Sequence, residues 1–309
     1  MRILIHAPEA RHWQEVLTRE LRPVLPGAEV VTTQEAGEGP ADILVVWKPP
    51  ASLLACQNAS LKAIFNAGAG VDALLSLPDL PDVPIVRLRD AGMGTLMADY
   101  ALYGILHFHR DMDRYRQQQL DRLWQELPLA DRSVWRVGIV GLGTLGQACA
   151  RRIRAQGFEV QGWSRSAKQC EGIDTHHGDD GLTILLNTSQ VIVNLLPDTP
   201  GTRGLLNEQR LSQLPEGAVV INAGRGTTLD PDALLELIER GHLRGALLDV
   251  FPEEPLPATH PLWQDPRVIV TPHVAAPTDV NEGARQFAAD IVALTRGERL
   301  DTVDPATGY

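Results

Sequence analysis

The stretch Val137-Gly-Ile-Val-Gly-Leu-Gly-Thr-Leu-Gly146 constrains this chain more than any other. An apolar run, Val137 to Val140, leads directly into Gly141, Gly143 and Gly146 and then into helix-forming residues. Glycines spaced this way between a strand and a helix have separate uses. The first permits the tight turn, the second lets backbone approach a pyrophosphate, and the third allows close helix–strand packing. The free N–H groups opening the helix, at Thr144 and Leu145, then meet a phosphate at the positive end of the helix dipole. A dinucleotide site on a parallel sheet is expected here.

The rest of the chain repeats that alternation. Short apolar runs at Ile3–Ile5, Val30–Thr32, Ile43–Trp47, Leu61–Phe65 and Ile85–Leu88 are each bounded by Gly, Pro or Asp, as buried parallel strands are. A second series follows at Arg136–Val140, Val160–Trp163, Val191–Leu196, Ala218–Asn222, Ala246–Val250 and Val268–Thr271. Between the series, apolar residues at helical spacing predict one long helix from about Thr95 to Gln119, and a last helix is predicted from about Asp279 to Thr295. The expected class is α/β with two doubly wound parallel-sheet domains, a Rossmann cofactor domain inserted in a flavodoxin-like substrate domain. The substrate domain takes residues 1–95 and 277–309, the cofactor domain residues 96–276, and the active cleft is expected between them.

Length and charge narrow the function. A chain of 309 residues exceeds one ordinary core, so two domains are the natural reading. The formal charge of −11 disfavours nucleic acid or an anionic membrane as partner. No run reaches the roughly 18 apolar residues a membrane helix needs, and the N-terminal residues lack a signal-peptide pattern. Cys56, Cys149 and Cys170 are too scattered for a disulfide frame or zinc site, which points to a cytoplasmic protein.

At the end of the second strand of a dinucleotide fold, an Asp or Glu usually holds the ribose hydroxyls of NAD. This chain has Ser164-Arg165-Ser166-Ala167-Lys168 instead. Arg165 and Lys168 would attract a 2′-phosphate and Ser164 could donate to it, whereas a carboxylate would repel it. NADP(H) is therefore the expected cofactor, with NAD(H) not barred.

Three late strands end in polar residues, where ligands bind in open α/β sheets. One ends in Asn222-Ala223-Gly224-Arg225-Gly226, the next in Asp249-Val-Phe-Pro-Glu-Glu254-Pro255, the last in Thr271-Pro272-His273. Arg225 offers a bidentate fork that suits a carboxylate, and the small residues beside it allow close approach of substrate and nicotinamide. A Glu beside His273 would favour the imidazolium, as a general acid near neutral pH requires. Asp249, inside an apolar run, needs a partner if buried. Such a set fits reduction of a 2-keto acid, which needs a cation for the carboxylate and an acid for the new alkoxide. In the first third, Gly68-Ala69-Gly70 follows a strand and exposes backbone N–H groups, a nest for a carboxylate. Trp47 either walls that pocket or anchors the core, and Met93 either closes over the substrate from its Gly-rich loop or serves as filler.

Together these segments resemble the D-isomer-specific 2-hydroxyacid dehydrogenases, whose signature runs Asn-x-x-Arg-Gly, Asp-Val-Phe…Glu-Pro-Leu, Thr-Pro-His. Asn222–Gly226, Asp249–Leu256 and Thr271–His273 match in order and spacing, and the resemblance spans essentially the full chain. It implies that Arg225 binds the substrate carboxylate and carbonyl, that Glu254 rather than Glu253 partners the histidine, and that His273 is the general acid/base. It also implies that Asp249 lies near the nicotinamide carboxamide, with Leu196, Pro197, Ala223 and Gly224 lining the cofactor.

Within that family the chain looks most like the short A-type glyoxylate/hydroxypyruvate reductases. The supporting stretches are Val46–Pro50, Asn66–Asp72, Asp90–Gly94, Gly162–Arg165, Asn194–Pro197 and the final Gly308-Tyr309. This implies NADPH-dependent reduction of glyoxylate or hydroxypyruvate to glycolate or D-glycerate. It also implies a homodimer through the cofactor domain, with the Thr95–Gln119 helix as interface. Lys48, where a His is usual, and Ala67, where a larger apolar residue is usual, bear on substrate choice. A dinucleotide-sensing binding protein of the same fold is the rival from another class. A serine-biosynthetic phosphoglycerate dehydrogenase is a weaker one, since the sequence ends soon after the last helix.

The remaining histidines (His6, His12, His107, His109, His176, His177, His242, His260) lack ligand spacing, so no metal is expected. His176-His177 reads as part of a Gly/Asp loop, and Asp230-Pro231 as the start of a helix.

Overall fold

The computed structural model describes residues 1–304, so Gly308 and Tyr309 lie outside the described residues. The chain divides into two compact units, one of residues 1–92 with the chain from Thr278 on, the other Met93–Pro277.

The first unit is built on five parallel strands: β1 (Arg2–His6), β2 (Glu29–Thr32), β3 (Ile43–Val46), β4 (Ala63–Asn66) and β5 (Ile85–Arg87), in the order β2-β1-β3-β4-β5. The central strands β3 and β4 are buried at every residue, which is why they read as unbroken apolar runs rather than alternating ones. Helices Ala10–Leu21 and Val280–Thr295 close one face. Trp13 stacks on Phe287 at 5.5 Å, and Phe65 meets the edge of the same ring at 5.1 Å. Asp279 caps the returning helix by accepting from the N–H groups of Asn281 (2.8 Å) and Glu282 (3.3 Å).

The second unit carries seven parallel strands: β6 (Val137–Val140), β7 (Val160–Ser164), β8 (Asp174–His177), β9 (Val191–Asn194), β10 (Ala218–Asn222), β11 (Leu243–Leu248) and β12 (Val268–Val270). Their order is β12-β11-β10-β9-β6-β7-β8, the doubly wound arrangement with its switch point between β6 and β9. Helix Met93–His109 lies close on this sheet because Gly104 leaves room. A Cβ there would stand 2.7 Å from Leu247 and 2.8 Å from Ile221.

Two sequence expectations change. The helix expected from Thr95 to Gln119 is two, Met93–His109 and Met112–Leu120, broken at Arg110-Asp111 where Asp111 adopts a left-handed φ of 54°. Arg244, only 14% exposed, draws in both Asp111 (2.7 Å) and Asp113 (2.6 Å), and that tertiary pull outweighs local helix propensity. His176 and His177 do not sit in a loop but form the end of β8, where His176 Nε2 lies 3.1 Å from Gln161 Oε1. Asp230 starts the helix Pro231–Glu239 as expected, accepting from Asp232 and Ala233 N–H at 3.1 Å each.

Candidate active site

In the second unit the candidate residues gather at the carboxyl ends of the strands. Gly141 follows β6 with φ 112°, a conformation only glycine adopts comfortably. Its Cβ would stand 3.1 Å from the Leu195 carbonyl, and a Cβ on Gly146 would lie 1.9 Å from Gly141 O. Gly143, by contrast, is exposed, and a Cβ there would meet nothing within 4 Å. Two glycines are thus fixed by packing, while the one assigned to phosphate approach faces open space beside Thr144, the first residue of helix Thr144–Arg154. This cradle fits a dinucleotide pyrophosphate.

The turn after β7 is tied to the same loop. Lys168 Nζ donates to Leu142 O at 3.2 Å, and Arg165 is exposed beside it. Ser164 differs from the expectation. Its hydroxyl donates to Ser166 O at 2.8 Å, so its single hydrogen shapes the turn rather than pointing outward.

After β10, Arg225 Nη1 donates to Gly224 O at 2.9 Å. Its backbone is held by buried polar residues whose positioning role the sequence did not reveal. Asn194 Nδ2 donates to Asn222 Oδ1 (2.9 Å) and Thr228 Oγ1 (2.6 Å), and Thr228 Oγ1 donates to Arg225 O (2.6 Å). All three are fully buried, and such satisfied polar networks rigidify a site. Polar residues closing otherwise apolar strands were the available signal. Glycine is required on both sides of Arg225: a Cβ on Gly224 would stand 2.7 Å from Leu196 backbone, and one on Gly226 1.9 Å from the Phe251 carbonyl carbon.

Glu254, not Glu253, meets the histidine. His273 Nδ1 lies 2.8 Å from Glu254 Oε2, and Glu254 Oε1 accepts from Phe251 N–H at 3.1 Å. An ionised carboxylate only accepts, so Nδ1 carries the hydrogen of this contact. His273 holds a left-handed φ of 56°, a conformation that costs a non-glycine residue about 1 kcal/mol or more. Asp249 sustains it. Its backbone O accepts from His273 N–H at 2.9 Å, and its buried carboxylate accepts from Thr271 Oγ1 (2.6 Å), Val274 N–H (2.8 Å) and Ala275 N–H (2.8 Å). Tyr100 extends the network through a 2.7 Å hydroxyl contact with Thr271. Asp249 therefore has its partners in the His273 segment, and the sequence pointed to its need for partners but not to their identity.

In the first unit, Trp47 is half-buried and its ring covers Gly68, where a Cβ would lie 2.1 Å from the indole. Lys48 Nζ stands 5.9 Å from that ring. Met93 is not on a loop. It opens helix Met93–His109 of the second unit and is 3% exposed. Among the described residues no cluster of His, Cys, Asp or Glu could hold a metal ion, and no helix is long and apolar enough to cross a membrane.

The NAD-binding-domain profile of the D-isomer-specific 2-hydroxyacid dehydrogenases matches residues 102–275. Solved relatives extend the likeness to the full chain. A D-isomer-specific 2-hydroxyacid dehydrogenase from Xanthobacter autotrophicus Py2, in complex with NADPH and MES, is 38% identical with a TM-score of 0.93, over 100% of this chain and 99% of that one. An NADPH-dependent glyoxylate/hydroxypyruvate reductase from Sinorhizobium meliloti, with NADP and sulfate, is 35% identical with a TM-score of 0.91 over the same shares. A probable 2-hydroxyacid dehydrogenase from Rhizobium etli CFN 42, with NADP, HEPES and L(+)-tartaric acid, is 32% identical with a TM-score of 0.86, again over 100% and 99%. By strand order, glycine cradle and full-length similarity, this chain belongs to the D-isomer-specific 2-hydroxyacid dehydrogenases, a family of NAD(P)-dependent oxidoreductases.

Proposed function

We propose that this chain reduces a small 2-keto acid, glyoxylate or hydroxypyruvate, to glycolate or D-glycerate, with NADPH as reductant. The observation that carries the reading is the 2.8 Å pairing of His273 with Glu254, at the same strand ends as Arg225. When bound, the nicotinamide supplies a hydride to the ketone carbon. Arg225 takes the substrate carboxylate and polarises the carbonyl. As the carbonyl oxygen gains charge, His273 delivers a proton to it from Nε2, and Glu254 stabilises the imidazolium that serves as donor. Gly141, Gly143, Thr144, Leu145 and Gly146 cradle the pyrophosphate, while Leu196, Pro197, Ala223 and Gly224 border the nicotinamide side. In the first unit, the Gly68-Ala69-Gly70 loop offers backbone N–H groups to a carboxylate, with Trp47 over it.

Preference for NADPH is supported by Arg165 and Lys168 where a carboxylate would select NAD. The solved relatives with NADPH or NADP bound point the same way. The substrate class is supported by the Sinorhizobium reductase at 35% identity. A homodimer through the cofactor domain is supported by Leu120, Leu123, Trp124, Leu129 and Val134, all exposed and all in that unit. All five lie beyond the Thr95–Gln119 span to which the sequence assigned the interface. Cys56, Cys149 and Cys170 form no disulfide, which fits a reducing cytoplasm.

The test is NADPH consumption by purified protein with glyoxylate, hydroxypyruvate, pyruvate and a buffer blank, repeated with NADH. Rapid loss with the first two and slower loss with NADH is the expected result. Tight NADPH binding without turnover on any keto acid would overturn the reading in favour of a dinucleotide-sensing protein.

A further inference from the structure

A loop that binds an anion through its backbone must turn its carbonyls away, because each carbonyl oxygen repels the charge the N–H groups attract. In the Gly68–Gly70 loop every carbonyl is committed to the protein. Gly68 O accepts from Leu88 N–H (3.3 Å) and from Asn66 Nδ2 (2.9 Å). Ala69 O accepts from Arg87 Nη1 (3.4 Å), and Gly70 O from the same Asn66 Nδ2 (2.9 Å). The preceding carbonyl, Ala67 O, accepts from Thr278 Oγ1 (3.4 Å). The N–H groups of Gly68, Ala69 and Gly70 have no acceptor among the described residues.

Asn66 is the centre of this arrangement. It ends β4, is 2% exposed, and uses both hydrogens of one amide nitrogen to hold two carbonyls two residues apart. Few side chains can do this from that place. An amide supplies two hydrogens on one nitrogen, an Asp supplies none when ionised, and a Ser supplies one. We infer that Asn66 is a positioning residue for substrate. It holds the Gly68–Gly70 loop with its carbonyls turned to the protein and its N–H groups available to the substrate carboxylate. This rests on the reading of that loop as a carboxylate site, and it adds a residue that touches neither substrate nor cofactor.

The experiment compares Asn66→Ala, Asn66→Asp and Ala69→Pro, which removes one N–H from the loop, with the unaltered protein. KM and kcat are measured for glyoxylate, the inhibition constant for oxalate, and the Kd for NADPH. For both Asn66 variants, KM and the oxalate constant should rise together by about tenfold or more. Turnover number should stay within about threefold and NADPH affinity should be unchanged. A purely structural role would instead lower kcat or NADPH affinity along with the rise in KM. Should Asn66→Ala and Asn66→Asp both fail to fold, Asn66→Ser, with one hydrogen left, serves in their place and should show a smaller rise in both constants. Unchanged constants in the Asn66 variants alongside a rise in Ala69→Pro would overturn the role of Asn66 and leave the loop reading standing. Unchanged constants in all of them would remove the loop from substrate binding, and the role of Asn66 with it.

Discussion

His273 and Glu254 come from different strand-end segments, nineteen residues apart, yet Nδ1 and Oε2 stand 2.8 Å from each other. The carboxylate fixes which nitrogen carries the hydrogen, and in the proposed reaction the two side chains act as one acid. Replacing His273 by Ala removes the proton donor, and turnover should fall by about 10² to 10⁴. NADPH affinity, read by fluorescence titration, should be nearly unchanged. Glu254→Gln keeps the shape and loses the charge, so its loss of kcat should be smaller than that of His273→Ala. Equal activity of His273→Ala and the unaltered protein would remove the residue from the mechanism.

Arg165 and Lys168 differ in how the fold uses them. Lys168 is partly spent on Leu142 O at 3.2 Å, and Arg165, an exposed residue directly after β7, has the guanidinium fork that suits a phosphate. A guanidinium–phosphate contact is worth roughly 1.5–3 kcal/mol. Arg165→Ala should therefore lower kcat/KM for NADPH by about 10- to 100-fold while leaving that for NADH nearly constant. Lys168→Ala should shift the ratio less. Steady-state kinetics with the two cofactors decides, and an unchanged ratio in Arg165→Ala would place the discrimination elsewhere.

The parts of this molecule legible in its sequence were those fixed by one local pattern. The Gly141–Gly146 loop, the runs that became β3, β6 and β10, and the triplet of polar strand ends each announce themselves within a few residues. What was not legible depended on distant partners. Strand β8 reads Asp-Thr-His-His; being an edge strand it needs no apolar run, and its place comes from pairing with β7. The helix break at Asp111 is set by Arg244, far along the chain. Asn66 and Asn194 open stretches that carried the resemblance and Thr228 lies in none, but the roles of all three follow from hydrogen bonds that only the folded chain brings together. Ser164 was read for its chemistry alone, and the turn it closes could not be foreseen.

Acid should weaken the first unit through Asp42. The Arg2 N–H that donates to its Oδ2 at 2.7 Å holds its carboxyl below the ordinary value. Burial opposes this, and Lys62 at 3.2 Å adds to it. A carboxyl depressed in the folded state binds its proton more readily when unfolded. Its contribution is thus complete well above the usual value of about 4 and is lost as pH falls through the lower folded value. Asp42→Asn keeps an acceptor oxygen but cannot titrate. Its Tm should lie below that of the unaltered protein near neutral pH, and the two curves should converge as the pH is lowered toward 3. Parallel curves across the range would show that Asp42 carries none of the acid sensitivity.

Trp124 is fully exposed, and Leu120, Leu123 and Leu129, close to it in the chain, are exposed as well. Burying these side chains against a second copy would remove enough apolar surface to matter at about 25 cal/mol per Å². Trp124→Glu with Leu129→Glu should shift the protein from dimer to monomer in light scattering at micromolar concentration. A monomer at all concentrations before substitution would dispose of the dimer.

Gly143 and Gly146 lie three residues apart in one motif, but opposite results are expected on adding a methyl group to each. At Gly146 the new Cβ would stand 1.9 Å from Gly141 O, a backbone atom that cannot swing away. Gly146→Ala should destabilise the cofactor unit by about 3 kcal/mol, seen as a lower Tm without any ligand. At Gly143 the backbone is extended, φ −73° and ψ −169°, and a Cβ would meet nothing within 4 Å. Gly143→Ala should leave the ligand-free Tm nearly in place, within about 1 kcal/mol for a residue at a helix N-cap. Its methyl group would instead occupy the space through which a pyrophosphate meets the backbone, and NADPH Kd should rise by about tenfold or more. Thermal melting with and without NADPH separates the two effects. An unaltered Kd in Gly143→Ala would mean that the phosphates are held elsewhere than on this loop.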